Sequence, residues 1–465
     1  MKTENYYDVI IIGAGPGGIY CAKELIDNCP DMNILILEKG TDLKSRICPI
    51  NSGKVNNCIN CKTCSIMNGF GGAGAYSDGK YVITNSYGGN LYNYIGNNTA
   101  LELMHYVDNI NRSYLRENVK LYDSKISSFN KECLKNDIHV LHSKIRHLGT
   151  DLNYKILKAL YEEIKDKIDI KFNSEVSKVA IIGTTENCDY IIHTEKENYS
   201  CKYCVVSVGR SGSKWVSNLC KDMNVETKSN KVDIGVRVEL PYDIFSHITD
   251  EVYESKLVYR TKQYDDLVRT FCMNPRGEVV AENTNGIITV NGHSYEDNVL
   301  KTDNTNFALL VGKHMTAPFN NSNEYGESIA NLSNMLGNGI IVQRFGDLIR
   351  GRRSTEERIK ESFVQPTLDA TPGDLSLVMP KRFLDDIIEM VYVLDKIAPG
   401  TANDDTLLYG VEVKFYNMTV SVNNNLEARE RLYIIGDGSG ITHSLSQASA
   451  SGVFVARTIK SKEDI

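Results

Sequence analysis

Nothing in this 465-residue chain reads as a membrane segment, since no apolar run approaches the roughly 20 residues that span a bilayer. The only apolar run near the start, residues 9–12, is bracketed by Asp8 and by glycines and is too short for a secretion signal. Excess positive charge is missing too. Lys and Arg total 52 against 59 Asp and Glu, a formal charge of −7, which argues against a broad nucleic-acid or anionic-membrane surface but not against a local basic patch. Internal repeats and low-complexity tracts are absent. With no export signal the expectation is a cytoplasmic protein, and its 12 cysteines are not expected to form disulfides. The length exceeds one ordinary core, so two domains are expected.

What is present begins at Asp8-Val9-Ile10-Ile11-Ile12-Gly13-Ala14-Gly15-Pro16-Gly17-Gly18. A short apolar run, a glycine turn and the helical pattern from Ile19 read as strand, turn and helix start. Gly13 permits the turn, Gly15 lets the backbone approach a pyrophosphate, and Gly18 lets helix pack on strand, with the N–H groups of the helix start facing the phosphates. A second strand, 33–37, ends in Glu38, placed to accept from ribose hydroxyls. Lys39 and a polar loop follow where ribose and adenine would lie. Residues 68–80 are the most glycine-dense stretch and suit a loop passing along a cofactor towards its reactive ring.

Helices are expected over 98–120 and 152–168, then strands at 168–172, 176–182, 190–194 and 203–208, the last ending in Val208-Gly209-Arg210-Ser211-Gly212. Residues 121–150 have no clear period. Residues 231–330 are β-rich, with 233–239 as one alternating strand, and 324–400 are mostly helical. The tail returns to the opening pattern: the apolar run 432–435, then Gly436-Asp437-Gly438-Ser439-Gly440-Ile441-Thr442-His443 and a small-residue helix. Asp437 can accept from a ribityl hydroxyl, and the helix start can face the flavin's pyrimidine edge. Two dinucleotide-type turns at opposite ends of one chain favour FAD over NAD. A second complete strand–GxGxxG–helix unit is lacking, so NAD(P)H is expected at most as a transient electron donor.

Cys48, Cys58, Cys61 and Cys64 form C-x9-C-x2-C-x2-C with Pro49 after the first. Three readings stand: an iron–sulfur cluster, [4Fe–4S], a structural zinc, or free thiols. A cluster could relay single electrons, with a ferredoxin-type donor as partner; zinc could only order the loop. Cys21, Cys29, Cys133, Cys188, Cys220 and Cys272 read as small core residues. Cys201 and Cys204 make a CxxC that enters a strand, whereas redox pairs sit at helix starts.

With these segments in hand, the chain resembles the bacterial FAD-dependent dehydrogenases grouped as NAD(P)/FAD-dependent oxidoreductases of undefined role, within the glutathione-reductase-like flavoprotein superfamily. The resemblance rests on the first turn, 69–80, 209–212, 233–239, 270–275, 290–294, 410–415 and 436–452. It departs at Thr442-His443, where a Thr-Arg pair is expected. It implies an α/β fold: a Rossmann-type, glutathione-reductase-like FAD-binding domain (1–222 and 416–465) with an inserted β-rich α+β substrate domain (223–415). The residues expected to hold FAD are Gly13, Gly15, Pro16, Gly17, Gly18, Glu38, Lys39, Gly71, Gly72, Ala73, Ser77, Asp78, Gly209, Asp437, Gly438, Gly440, Ile441 and Thr442. Catalytic candidates are His443, His293 and Arg237, from a wider pool with Asn274, Arg276 and Arg344. The function implied is an FAD-dependent oxidoreductase acting on a small organic substrate. A flavin-dependent RNA-modifying enzyme and a flavin-bearing redox sensor are the alternatives.

Overall fold

The computed structural model describes residues 5–50, 52–55, 59, 61–125, 128–184, 187–252, 254–284, 286–294, 299, 301–319 and 321–464. The chain divides into two units: Met1–Leu121, Lys144–Lys228 and Asn417–Ile465 form the first, and Tyr122–Ser143 with Ser229–Tyr416 the second.

The first unit is a parallel sheet with cover on both faces. Its parallel strands run Leu432–Ile434, Asn198–Val206, Tyr6–Ile12, Ile34–Leu37, Asp169–Lys171, with hairpin Val176–Thr184/Asn187–Thr194 added antiparallel at Asn198–Cys201. The apolar run of the first strand has no polar alternation because both its faces are buried. Val9 and Ile11 pack with Ile34, Ile36, Val205 and helix residues Ile19, Met104, Ile156 and Val453. Ile10 and Ile12 point the other way, to Leu35, Leu37, Val206, Ile192 and Leu219. Pro16–Asn28 is the helix after the first turn, with Pro at its start, where no N–H is needed. The expected helices appear as Asn97–Ser113 and Gly149–Ile164. The final helix, Leu445–Glu463, returns onto the first. A Cβ on Gly452 would lie 2.0 Å from the Gly17 carbonyl oxygen, so the two backbones nearly touch.

The second unit is built on an antiparallel sheet. Its order is Thr371–Pro372, Ile341–Arg344, Leu407–Lys414, Val232–Pro241, Asn304–Lys313, Leu267–Asn274, Leu257–Arg260, Ile138–Val140, with only the first pair parallel. Val232, Ile234, Val236 and Val238 alternate onto a core shared with Phe307, Leu309 and helices Tyr242–Val252 and Lys381–Asp395. The alternate residues Asp233, Arg237 and Glu239 are buried too, on the opposite face. The division differs from the expected one: residues 122–143 belong to this unit, and its other limits fall at 228/229 and 416/417 rather than 222/223 and 415/416. Strand Ile138–Val140 pairs with Leu257–Tyr259, and Ile138 and Cys133 enter its core. A three-residue strand made only by a distant partner leaves no period to read. Among the described residues no helix is long and apolar enough to cross a membrane.

Candidate cofactor site

Parallel strands end at one sheet edge, and turns at the carboxyl ends of such strands are where α/β folds bind ligands. Three turns meet there in the first unit. Backbone bonds of 2.8 Å lace them together: Gly13 N to Leu37 O, Ser207 N to Ile12 O, Ile435 N to Val206 O and Gly438 N to Val208 O.

The glycines of the first turn do three different jobs. Gly13 is at φ +104°, and a Cβ there would sit 2.6 Å from the Ser207 carbonyl oxygen. A Cβ on Gly18 would meet the Gly13 oxygen at 2.1 Å, so this residue is fixed by the approach of helix to strand. Gly15 is different. Its backbone is extended, and a Cβ there meets only the Ser207 oxygen, at 3.9 Å. Protein packing does not require glycine at 15, which leaves room there for a group laid against the helix start. Gly17 packs closely too, with Ser207 Oγ 2.6 Å from its would-be Cβ.

The glycine loop lies against this turn. Gly71 N donates to Ala14 O at 2.8 Å, and a Cβ on Gly72 would be 3.2 Å from the Gly15 Cα. Gly72–Tyr76, with exposed Ala73, is a short 3-10 turn, and Ser77 Oγ closes it by donating to Gly74 O at 2.7 Å. Asp78 pairs with Lys80 at 2.9 Å. Arg46, which the sequence did not single out, holds the loop from behind. Its buried guanidinium donates to the carbonyls of Ser65, Ile66, Phe70 and Gly72 and lies over the Tyr76 ring at 4.8 Å. No periodicity or motif marks such a residue, because its partners are main-chain atoms.

Glu38 is more of an organiser than expected. Its buried carboxylate accepts from Ala14 N at 2.8 Å, Gly40 N at 2.7 Å and Gly69 N at 2.9 Å. A carboxylate has about four acceptor positions; Ala14 and Gly69 tie the two glycine segments together, Gly40 takes a third, and about one is unused among the described residues. Lys39 is ion-paired with Glu175 at 2.7 Å.

At the third turn the Asp437 carboxylate lies between two nitrogen groups, His443 Nδ1 at 3.1 Å and Arg210 Nε at 3.2 Å. Arg210, beside Gly209, was not among the candidates. An ionised carboxylate only accepts, so the hydrogen of this bond is carried by His443 Nδ1. Gly440 is at φ +69°, Asn417 donates to Asp437 O at 2.6 Å, and Ile441 O accepts from Asn90 N at 2.7 Å. Thr442 bridges Gly89.

Four buried hydroxyls have no hydrogen-bond partner among the described residues: Ser207 and Thr442 on these turns, and Ser446 and Ser449 in the first turns of the final helix. Buried polar groups are rarely left so, and a polar ligand is one reason for it. Together with the open position at Gly15 they fit an extended phosphate- and hydroxyl-bearing group such as FAD.

The remaining candidates lie in the second unit and are not all of one kind. Arg237 is corrected: it is fully buried, with all five guanidinium N–H groups used. It grips Glu412 through two 2.8 Å bonds and donates to Asn306 Oδ1 at 2.8 Å, Cys272 O at 3.1 Å and Asn291 Oδ1 at 3.4 Å. No donor is left for a substrate. Asn274 belongs to the same network, through Asn306 at 3.2 Å. His293 follows Gly292, whose would-be Cβ lies 2.2 Å from Arg237 Nη1. Arg276 stacks on Tyr242 at 4.1 Å, and Arg344 is paired with Asp405, both away from that network's partners.

The cysteine expectation gains no support. Among the described residues no three His, Cys, Asp or Glu side chains come together as a metal site. Cys48, Cys61 and Cys64 are free thiols, Cys61 exposed, and Cys58 lies outside the described residues. Cys201 and Cys204 are buried in their strand.

Residues 231–415 match the family described as "FAD-dependent protein, C-terminal domain-like". No curated protein matches the chain in sequence. Among solved structures it is similar to glycine oxidase from Geobacillus kaustophilus, at 10% identity and TM-score 0.39 over 98% of this chain and 95% of that one. It is also similar to 2,6-dihydroxypyridine-3-hydroxylase from Arthrobacter nicotinovorans, at 8% identity and TM-score 0.41 over 99% and 84%. At such values these likenesses carry no functional argument, which is left to the residues themselves.

Proposed function

We propose that the protein is an FAD-dependent oxidoreductase acting on a small organic substrate. The observation that carries this is Gly15: a glycine on ordinary extended backbone, with room for a side chain, at the start of a helix whose neighbouring turns hold unpartnered hydroxyls. Bound FAD supplies the hydride chemistry. The chain's own residues do the rest. The amides at the start of Pro16–Asn28 take the pyrophosphate. The last acceptor position of Glu38 takes a ribose hydroxyl, and Ser207 and Thr442 offer hydroxyls to the rest of the group. Asp437 holds the His443 ring through Nδ1 and keeps this candidate proton-transfer group oriented. NAD(P)H, where it serves as donor, binds transiently. No metal enters this reading.

The test is Gly15→Ala. Its Cβ meets nothing nearer than 3.9 Å, so the unfolding free energy of the flavin-free protein is expected to stay within about 0.5 kcal/mol of wild type. Flavin retention, read by visible absorbance after gel filtration, is expected to fall at least tenfold. Full flavin content in Gly15→Ala refutes the placement, and a wild-type protein that takes up no FAD refutes the function. Gly13→Val is a poorer probe, since its Cβ collides with Ser207 whatever is bound.

A further inference from the structure

In the second unit a turn between two strands is held to a helix by a polar seam. Leu257–Arg260 and Leu267–Asn274 pair antiparallel, and residues 261–266 connect them. Helix Lys381–Asp395 puts Phe383, Ile387 and Met390 into the core, while Arg382, Asp385, Asp386 and Glu389 share another face at helical spacing. The turn binds all four. Thr261 Oγ1 donates to Asp386 Oδ1 at 2.7 Å, and Tyr264 donates to Asp385 at 2.8 Å. Lys262 N and the Tyr259 hydroxyl each donate to Glu389 at 2.8 Å. Arg382 grips Asp266 through bonds of 2.6 and 3.0 Å. Of the four helix residues only Asp386 is buried.

The buried Asp386 Oδ2 has no donor among the described residues, and Asp386 lies within hydrogen-bonding reach of a second carboxyl, that of Asp266. Two ionised carboxylates offer only acceptors, so they bond to each other only when one of them holds a proton. The cations decide which one. Lys313, from strand Asn304–Lys313, and Arg382 both pair with Asp266. Lys381, the helix's other cation, is taken by Asp385, and Asp265 in the turn pairs with Arg260 at 3.2 Å. Burial opposes the charge on Asp266, but Arg382 and Lys313 hold its carboxyl down at about 2. The proton is left to Asp386. Burial first, and then the bond to Asp266 and its charge, raise that carboxyl to about 6, with Thr261 and Lys313 pulling the other way.

We propose that Asp386 and Asp266 share one proton and that its loss unlatches the 261–266 turn from helix Lys381–Asp395, a pH-sensitive latch built into the second unit. The latch is independent of the function proposed above. The experiment is hydrogen–deuterium exchange of the full-length protein, read by mass spectrometry as protection factors over 261–266, at about pH 5 and about pH 7.5. The amides of Thr261, Lys262 and Asp266 are bonded within the turn and to the helix, so opening exposes them. A carboxyl raised in the closed state stabilises it below the ordinary value and stops doing so as pH rises through the raised one. Opening returns Asp386 to the ordinary value of 3.8, so protection is expected to fall about tenfold between the two pH values. An amide at 386 donates to Asp266 at every pH, so Asp386→Asn is expected to be as protected at the higher pH as at the lower. Strand Val232–Pro241 in the same samples is expected to keep its protection, which separates unlatching from unfolding. Carbon-13 NMR of aspartate-labelled protein is expected to show one carboxyl titrating at about 6, absent from Asp386→Asn. A fall of less than about threefold, the same fall in Asp386→Asn, an equal fall in the core strand, or no aspartate titrating within about one unit of 6 overturns the proposal.

Discussion

Arg237→Met would show whether the second unit is held by its buried ion pair or merely decorated by it. The substitution keeps an unbranched side chain of similar length and removes every donor. Glu412, 7% exposed, loses both of its 2.8 Å partners, and acceptors on Asn306, Asn291 and the Cys272 carbonyl lose theirs. Removing one member of a buried pair costs about 3–5 kcal/mol, because the other charge is stranded. For a unit of this size that is a fall in midpoint of roughly 6–20 °C, at about 2–4 °C per kcal/mol. The pH dependence has a definite sign. Burial pushes the Glu412 carboxyl above its usual value, with Arg237 opposing. A carboxyl raised in the folded state contributes stability that is complete below the ordinary carboxylate range and is lost as pH rises through the raised value. Without Arg237 the rise is larger, so the deficit of Arg237→Met is greatest at neutral pH and narrows on acidification. Urea unfolding followed by circular dichroism between neutral pH and the carboxylate range measures this. The double variant Arg237→Met/Glu412→Leu is expected to regain most of the loss, since an apolar pair replaces a buried ion pair at little cost. A loss under about 1 kcal/mol, flat with pH, would refute the reasoning and return Arg237 to the substrate-contacting candidates.

Gly18→Ala should fail where Gly15→Ala succeeds: its Cβ would fall 2.1 Å from the Gly13 oxygen, so little folded protein is expected, and a normal yield by gel filtration would contradict the packing. Asp386 is fully buried, bonded by Thr261 at 2.7 Å, and burial raises its carboxyl to about 6. Its contribution to stability is complete below the ordinary carboxylate range and fades as pH rises through about 6. Asp386→Asn should therefore gain on wild type, by on the order of 1–2 kcal/mol, between acid and pH 8 in urea titrations, and no pH-dependent gain would contradict it. In native protein iodoacetamide should modify Cys61, Cys48 and Cys64 first. Cys133 and Cys220, buried with thiols pushed up to about 11, should react only on unfolding. Protection of the first three that a chelator removes would restore the metal centre.

The first turn was legible because its constraints are local. Gly13, Gly18 and the apolar run each answer to atoms a few residues or one strand away, and such constraints appear as residue type at fixed spacing. The buried strands 203–206 and 432–434 and the helices 97–113 and 149–164 were readable for the same reason, through period and composition. Residues 122–143 were not, because a strand of three residues is defined by its partner at Leu257–Tyr259 and has no pattern of its own.

The sequence by itself determined a dinucleotide-type turn at each end of the chain, an α/β fold with an inserted β-rich region, and the residue types available to a cofactor. Only the tertiary structure decided how those residues are spent. A carboxylate or a guanidinium looks the same in sequence whether its partners are ligand or protein. Glu38 is mostly used by three backbone amides, Arg237 is wholly used by Glu412 and its neighbours, and Asp437 is shared by His443 and Arg210. Arg46 matters through carbonyls brought to it by folding. Hydrogen-bond capacity is finite and is filled by whatever lies within about 3 Å. That distance is set by strand register and loop packing between residues far apart in the chain.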